Sequence, residues 1–192
     1  MKISDSLREG SVYIKPNFLD ENLFKELKNN LNEYEYFSTY QPRETYYGNK
    51  FQAHPCYETK DLSLIDKKFY NLFKEKIEIV LDESIIFLKM LIRKTLLEEI
   101  KVSKANSKYG FVHKDNDVEF AGVFQFTQSI DGGTAFFENF WDKYPDIEIG
   151  AYKNRLTLYN ANRWHSTCTD FTFSERYTLI LFANTDKYKQ KI

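Results

Sequence analysis

Apolar and polar positions change period several times along the chain, and each change marks an element. Residues 11–17, SVYIKPN, alternate enough for a short strand ending at Pro16. In FLDENLFKELKNNL the spacing becomes helical: Leu23, Leu27 and Leu31, with Phe24 beside them, form one stripe, and Asp20 stands where an N-cap belongs. Such a stripe predicts a helix packed on a core. DLSLIDKKFYNLFKEKIEIVL repeats the pattern, with Ile65, Phe69, Leu72, Phe73, Ile77 and Val80 on one side and Lys and Glu elsewhere. IIFLKMLIRKTL is ambiguous: it reads as a third helix or as the tail of the second, broken near Asp82-Glu83-Ser84. EEIKVSKAN reads as a strand.

The second half is patterned for strands. KYGFVHKDNDVEF is an extended segment closed by a turn, AGVFQFTQ is an apolar strand interrupted by Gln125, and a turn at Asp131-Gly132-Gly133 leads into TAFFENF. An aromatic loop follows from Trp141 to Pro145. RLTLYNANRWHST is a strand, a turn at Asn160 to Asn162 and the start of another strand, and ERYTLILF has the apolar density of a buried strand. Between the helical and extended parts, Tyr34 to Tyr57 is dense in tyrosine and has no sustained period. Two readings apply there: a substrate-recognition lid, or irregular cover over the rest of the fold.

Candidate chemistry is concentrated between Phe111 and Phe182. In an extended segment, His113 and Asp115 project from the same face and can grip one ion together. His165 supplies a second imidazole farther along. Two histidines and a carboxylate on one face of an octahedron leave other positions open, the arrangement favoured by non-haem Fe(II) oxygenases. Asp117 is a competing carboxylate without the two-residue offset from His113. Arg176, a permanent cation in an apolar strand, requires an anion, and Thr178 shares its face.

The HKD triplet, the distal His165, the following Arg176 and the glycine-led GGTAFF at 132–137 together resemble the signature of the 2-oxoglutarate and Fe(II)-dependent oxygenases, in particular their prolyl-hydroxylase-like branch. The resemblance covers roughly the C-terminal half of the chain. It implies a mostly β fold, a double-stranded β-helix of jelly-roll, cupin-like type with N-terminal α-helices packed on one face. It further implies one domain over residues 1–192, with helical support and substrate-side segments in 1–100 and the motif-bearing strands in 101–183. His113, Asp115 and His165 become metal ligands, while Arg176 and Thr178 become the grip on the far carboxylate of 2-oxoglutarate. Tyr109 is a candidate donor to the co-substrate or plain wall packing. Gln125 stands about where the branch has a tyrosine on that carboxylate, and its amide can donate instead. The implied cofactors are Fe(II), 2-oxoglutarate as co-substrate and O2, with ascorbate as a reductant. The implied reaction is hydroxylation of a C–H bond with release of succinate and CO2. Retention of Asp115 favours hydroxylation over halogenation, since halogenases of the superfamily replace that carboxylate with a small residue.

Composition narrows the partners. Among 192 residues, Lys+Arg 27 against Asp+Glu 28 gives a net charge of −1, so no polycation collects on nucleic acid or an acidic membrane. The N-terminus lacks the apolar core of a signal peptide. The longest apolar run, IIFLKMLI, is too short to span a bilayer and contains Lys89. Cys56 and Cys168 match no zinc spacing and read as reduced thiols of a cytoplasmic protein. The expected partner is therefore a small molecule or protein side chain. His54, beside Pro55, reads as a structural or surface histidine, with a substrate contact as the alternative, and is poorly placed for a cupin dioxygenase's third histidine. Nucleic-acid demethylases of the AlkB type carry a second arginine in RxNxTxR, and none follows Arg176 in that pattern. The rival from another class is a non-catalytic β-helix, a binding or assembly protein that retains the motif.

Overall fold

The computed structural model describes residues 2–39, 43–44, 50–51, 56–102, 108–168 and 174–188. The short helix α1 (Ile3–Arg8) and strand β1 (Val12–Lys15) precede helix α2 (Glu21–Asn30). Short strands β2 (Phe37–Ser38), β3 (Arg43–Glu44), β4 (Lys50–Phe51) and β5 (Tyr57–Glu58) follow, then helices α3 (Leu62–Ile65) and α4 (Lys67–Leu81). The remainder is strand β6 (Ile85–Leu96), helix α5 (Leu97–Val102), β7 (Phe120–Gln125), β8 (Ser129–Phe137), β9 (Ile147–Ala151), β10 (Arg155–Asn160), β11 (Trp164–Cys168) and β12 (Glu175–Thr185).

The main sheet has seven antiparallel strands in the order β1-β10-β7-β12-β6-β5-β2. A second sheet, β11-β8-β9, is extended at β11 by single bridges from Tyr109 and His113. From β6 onward the chain passes between the two sheets: β6, the 109–113 segment, β7, β8 and β9, β10, β11, β12. That is a double-stranded β-helix.

Alternation along each main-sheet strand sorts residues to two different environments. On β12, Tyr177, Leu179, Leu181 and Ala183 join the helix-side core, while Arg176, Thr178, Ile180 and Phe182 line the interior cavity. On β6, Leu88, Met90 and Ile92 face the helices, and Arg93 and Thr95 face the cavity. Phe124 of β7 is the hub of the helix side, with ring centroids 5.4 Å from Phe73, 6.2 Å from Phe24 and 5.0 Å from Phe126. Helices α2 and α4 therefore close the outer face. Each begins with a capped turn: Asp20 accepts from the Leu23 N–H and Asp66 from the Phe69 N–H.

Several expectations need correction. IIFLKMLIRKTL is the strand β6, neither a helix nor the tail of one. Its buried residues, among them Ile85, Leu88, Met90, Leu91 and Ile92, occupy both parities because both faces of the sheet are covered, so no period dominates. β6 is thus a strand of the main sheet within residues 1–100. EEIKVSKAN begins with the helix α5, not a strand; Glu98 and Glu99 lie in its first turn, where a carboxylate favours a helix. The turn expected at Asp131-Gly132-Gly133 lies inside β8, which absorbs it as an irregularity in its pairing with β9. The stripe residue Ile65 belongs to α3 and is exposed, whereas Leu62 and Leu81 are buried.

The tyrosine-dense segment is only partly described, and His54 lies outside the described residues. Its ends are structural: Tyr34 donates to Asp66 at 2.6 Å, Tyr36 donates to the Leu31 carbonyl, and β2 and β5 widen the main sheet beyond β6. No helix among the described residues is long and apolar enough to cross a membrane.

A buried charge cluster ties α1 to the β-helix. Arg8 donates to Glu119 at 2.6 Å and to Glu83 at 2.5 and 3.0 Å, and Glu119 also accepts from the Thr185 amide and hydroxyl. The Arg8 guanidinium, chiefly, holds the Glu83 carboxyl well below the usual carboxylate range, with Lys187 and Ser4 assisting. A depressed carboxyl stabilises the fold fully above its unfolded value and loses that contribution as pH falls. Arg8→Met should therefore cost about 3 kcal/mol near pH 7, since it removes the cation that two buried carboxylates share. Urea denaturation should show the gap from wild type narrowing as the pH drops below about 4; a gap independent of pH would refute this account.

Candidate metal centre and cavity

The backbone brings the two imidazoles together. His113 and His165 form an antiparallel bridge in which each N–H donates to the other's carbonyl at 2.9 Å. Opposed residues of such a pair present their side chains on one face, and the two ring centroids are 4.4 Å apart. Asp115 is fixed by its own N–H, which donates to the Ala161 carbonyl at 2.9 Å. Beyond it the chain turns through Asp117, whose φ of 67° lies in the left-handed region that aspartate tolerates. Asp117 is exposed, and Asp115 is the carboxylate that joins the histidines.

The Asp115 carboxylate reaches His165 Nε2 at 3.3 Å and His113 Nε2 at 3.7 Å, and one ligand atom from each of the three lies within 4.8 Å of the other two. Each imidazole places Nδ1 2.9 Å from a carbonyl two residues upstream, Phe111 for His113 and Arg163 for His165. A carbonyl can only accept, so Nδ1 carries the proton and the neutral ring presents its lone pair at Nε2. Burial, first, and the neighbouring His165 push the His113 imidazole below its usual value, which preserves this form. Two imidazole lone pairs and a carboxylate thus converge on one point, and a cation there relieves their repulsion. The donor set fits Fe(II).

The same cavity, of about 100 Å³, is lined by Arg176 and Thr178 as well as the three ligands. Arg176 is buried, donating through Nη1 to the Cys168 carbonyl at 3.1 Å and through Nη2 to the Gly133 carbonyl at 3.4 Å. Gly133 has φ of +135°, and a Cβ there would stand 1.9 Å from the Ile149 oxygen. Only glycine permits that approach of β8 to β9.

One candidate, Tyr109, is placed elsewhere. The Tyr109 hydroxyl donates to Glu148, and its ring packs on Phe137 at 5.7 Å, on the outer side of the second sheet. The reason is a slip in register. Tyr109 and His113 are four residues apart, but their bridge partners Cys168 and His165 are only three apart, so one extra residue reverses the facing. Gln125 is buried on the cavity-side face of β7, opposite Thr178 and of the same parity as Val123, and among the described residues its Oε1 has no hydrogen-bond partner. Trp164 packs outward, away from His165, as the alternation predicts.

Cavity residues that sequence reasoning missed include Arg93 and Thr95 on β6, Thr134 on β8, Tyr159 on β10 and Thr167 on β11. Arg93 and Thr95 lie directly opposite Thr178 and Arg176, a relation hidden while β6 was ambiguous. Tyr159 packs against His165 at 4.7 Å, and alternation along RLTLYN was the available signal. Phe111 stacks on His113 at 5.8 Å, with Phe140 behind it.

No protein-family model matches the chain, and no curated protein matches it in sequence. Solved structures do match in fold. An oxidoreductase of the 2OG-Fe(II) oxygenase family from Burkholderia pseudomallei aligns with a TM-score of 0.66 and 13% identity, over 94% of this chain and 88% of that one. HygX from Streptomyces hygroscopicus, solved with nickel, 2-oxoglutarate and hygromycin B, aligns at 0.64 and 8% identity, over 94% and 85%. A prolyl hydroxylase from Trichoplax adhaerens, in complex with a hypoxia-inducible-factor peptide fragment, aligns at 0.60 and 13% identity, over 96% and 88%. The double-stranded β-helix of this chain is thus the fold of 2-oxoglutarate–Fe(II) oxygenases, prolyl hydroxylases included.

The converging donors predict that the protein binds Mn(II), and that His113→Ala or Asp115→Ala weakens this by at least about 100-fold. Titration of free Mn(II) by electron paramagnetic resonance measures it. Equal affinity in wild type and variants would remove the centre.

Proposed function

We propose that the protein is a 2-oxoglutarate- and Fe(II)-dependent dioxygenase that hydroxylates a C–H bond of an amino-acid, peptide, protein or small-molecule substrate. The observation that carries this reading is the convergence of three metal-ligand atoms within 4.8 Å in the cavity that also holds Arg176 and Thr178. His113, Asp115 and His165 hold the iron. Bound Fe(II) supplies the redox chemistry that couples decarboxylation of 2-oxoglutarate by O2, to succinate and CO2, with insertion of one oxygen atom into the substrate C–H bond.

The chain's own residues bind and orient. Arg176 and Thr178 take the far carboxylate of 2-oxoglutarate, a guanidinium and a hydroxyl on one strand face being suited to that group. The Phe111 and Arg163 carbonyls keep each ligand imidazole in its neutral, Nε2-donating form. Phe136, Tyr159 and Phe111 pack around the two histidines and limit the access of water. Fold neighbours solved with hygromycin B and with a peptide leave the size of substrate open.

The test is anaerobic calorimetric titration of 2-oxoglutarate into the Mn(II)-loaded protein, beside succinate formation by the Fe(II)-loaded protein in air. Binding should require metal and weaken about tenfold or more in Arg176→Ala. His113→Ala and Asp115→Ala should form no succinate while remaining folded. Absence of 2-oxoglutarate binding to correctly metallated wild type would leave the non-catalytic β-helix as the reading.

A further inference from the structure

Arg93 is a cation of the cavity that binding of iron and 2-oxoglutarate leaves without a role. It lies opposite Thr178 across the β6–β12 ladder and lines the same cavity as the metal ligands. Its ion partner, Glu58, is its cross-strand neighbour on β5, on the other side of β6. One oxygen of that carboxylate, Oε1, accepts both bonds: Arg93 Nε–H at 2.9 Å and Nη2–H at 2.6 Å.

A guanidinium carries five donors, and the Nε–Nη2 side is the only one that Glu58 engages. Among the described residues Nη1 has no hydrogen-bond partner, and 33% of the side chain is accessible. The end of the guanidinium, Nη1 with the second hydrogen of Nη2, is therefore open to a ligand. Asp115 is the one carboxylate among the described residues lining the cavity, and it belongs to the metal centre. Thr178 stands directly opposite Arg93, with Arg176 and Ile180 on the two diagonals of β12 and Thr95 two residues along β6, so this part of the cavity carries two guanidinium groups and no carboxylate among the described residues. A two-pronged donor in such surroundings matches a planar anion.

We propose that Arg93 receives a carboxylate of the primary substrate through this open end, so that the substrates are organic acids, free amino acids included. The inference rests on the oxygenase reading, because the anion is assigned to the substrate only if 2-oxoglutarate is held by Arg176. It makes Arg93 a specificity-determining residue, held in position by Glu58.

The experiment uses the full chain loaded with Mn(II), saturated with 2-oxoglutarate and kept anaerobic. Paramagnetic relaxation of 13C-labelled acetate reports carboxylate bound near the metal, with acetamide as the neutral control. Acetate should be relaxed saturably and acetamide should not. Arg93→Gln should weaken acetate about tenfold or more. Arg93→Lys, which keeps the charge without the planar fork, should fall between, and it carries the test if the glutamine variant fails to fold. Unchanged acetate affinity in Arg93→Gln, equal relaxation of acetamide, or no acetate binding to the 2-oxoglutarate complex would each overturn the inference while the oxygenase reading stands. Loss of 2-oxoglutarate itself in both Arg93 variants would assign Arg93 to the co-substrate and overturn it as well. Failure of 2-oxoglutarate to bind wild type would bring down the oxygenase reading instead.

Discussion

A main sheet that carries a polar cavity on one face has to bury the other face completely, and the contact that does so is aromatic. Phe124 meets Phe73, Phe24 and Phe126 between the sheet and the helices, while the neighbouring Val123 looks into the cavity. Burial of large side chains stabilises by about 1.5–3 kcal/mol each, which opposes the cost of desolvating Arg176, Thr178 and His165 on the cavity side. The helices α2 and α4 are thus more than decoration around the strands. Without them the strand alternation would have no apolar partner, and the cavity residues would have no fixed platform.

The sequence was most legible where one face of an element is exposed. The stripes of α2 and α4 and the cap at Asp20 follow from spacing alone, because solvent imposes polar residues on the outer side. It was least legible where solvent imposes nothing. In β6, residues such as Leu88 and Leu91 are buried on opposite faces, so neither the period of a strand nor that of a helix stands out. Arg93 and Thr95 were overlooked for the same reason, as their importance depends on being opposite Thr178 and Arg176.

The candidate site itself divides in a similar way. The two-residue offset of His113 and Asp115 is a local property that an extended backbone converts directly into a shared face. Tyr109 required counting across an irregularity that no residue type announces; one additional residue before His113 turned its ring to the outside. Gly133 carried a visible signal, a glycine pair in a strand, but its reason is tertiary, since the Ile149 carbonyl occupies the place of a side chain.

Both histidines owe their tautomer to main-chain carbonyls within their own segments, those of Phe111 and Arg163. Every residue type provides a carbonyl, so this control is independent of side-chain identity at positions 111 and 163. Substitution of Phe111 can reshape the wall beside His113 without altering which nitrogen faces the ion. Ligand chemistry and wall shape are consequently separable properties of this centre.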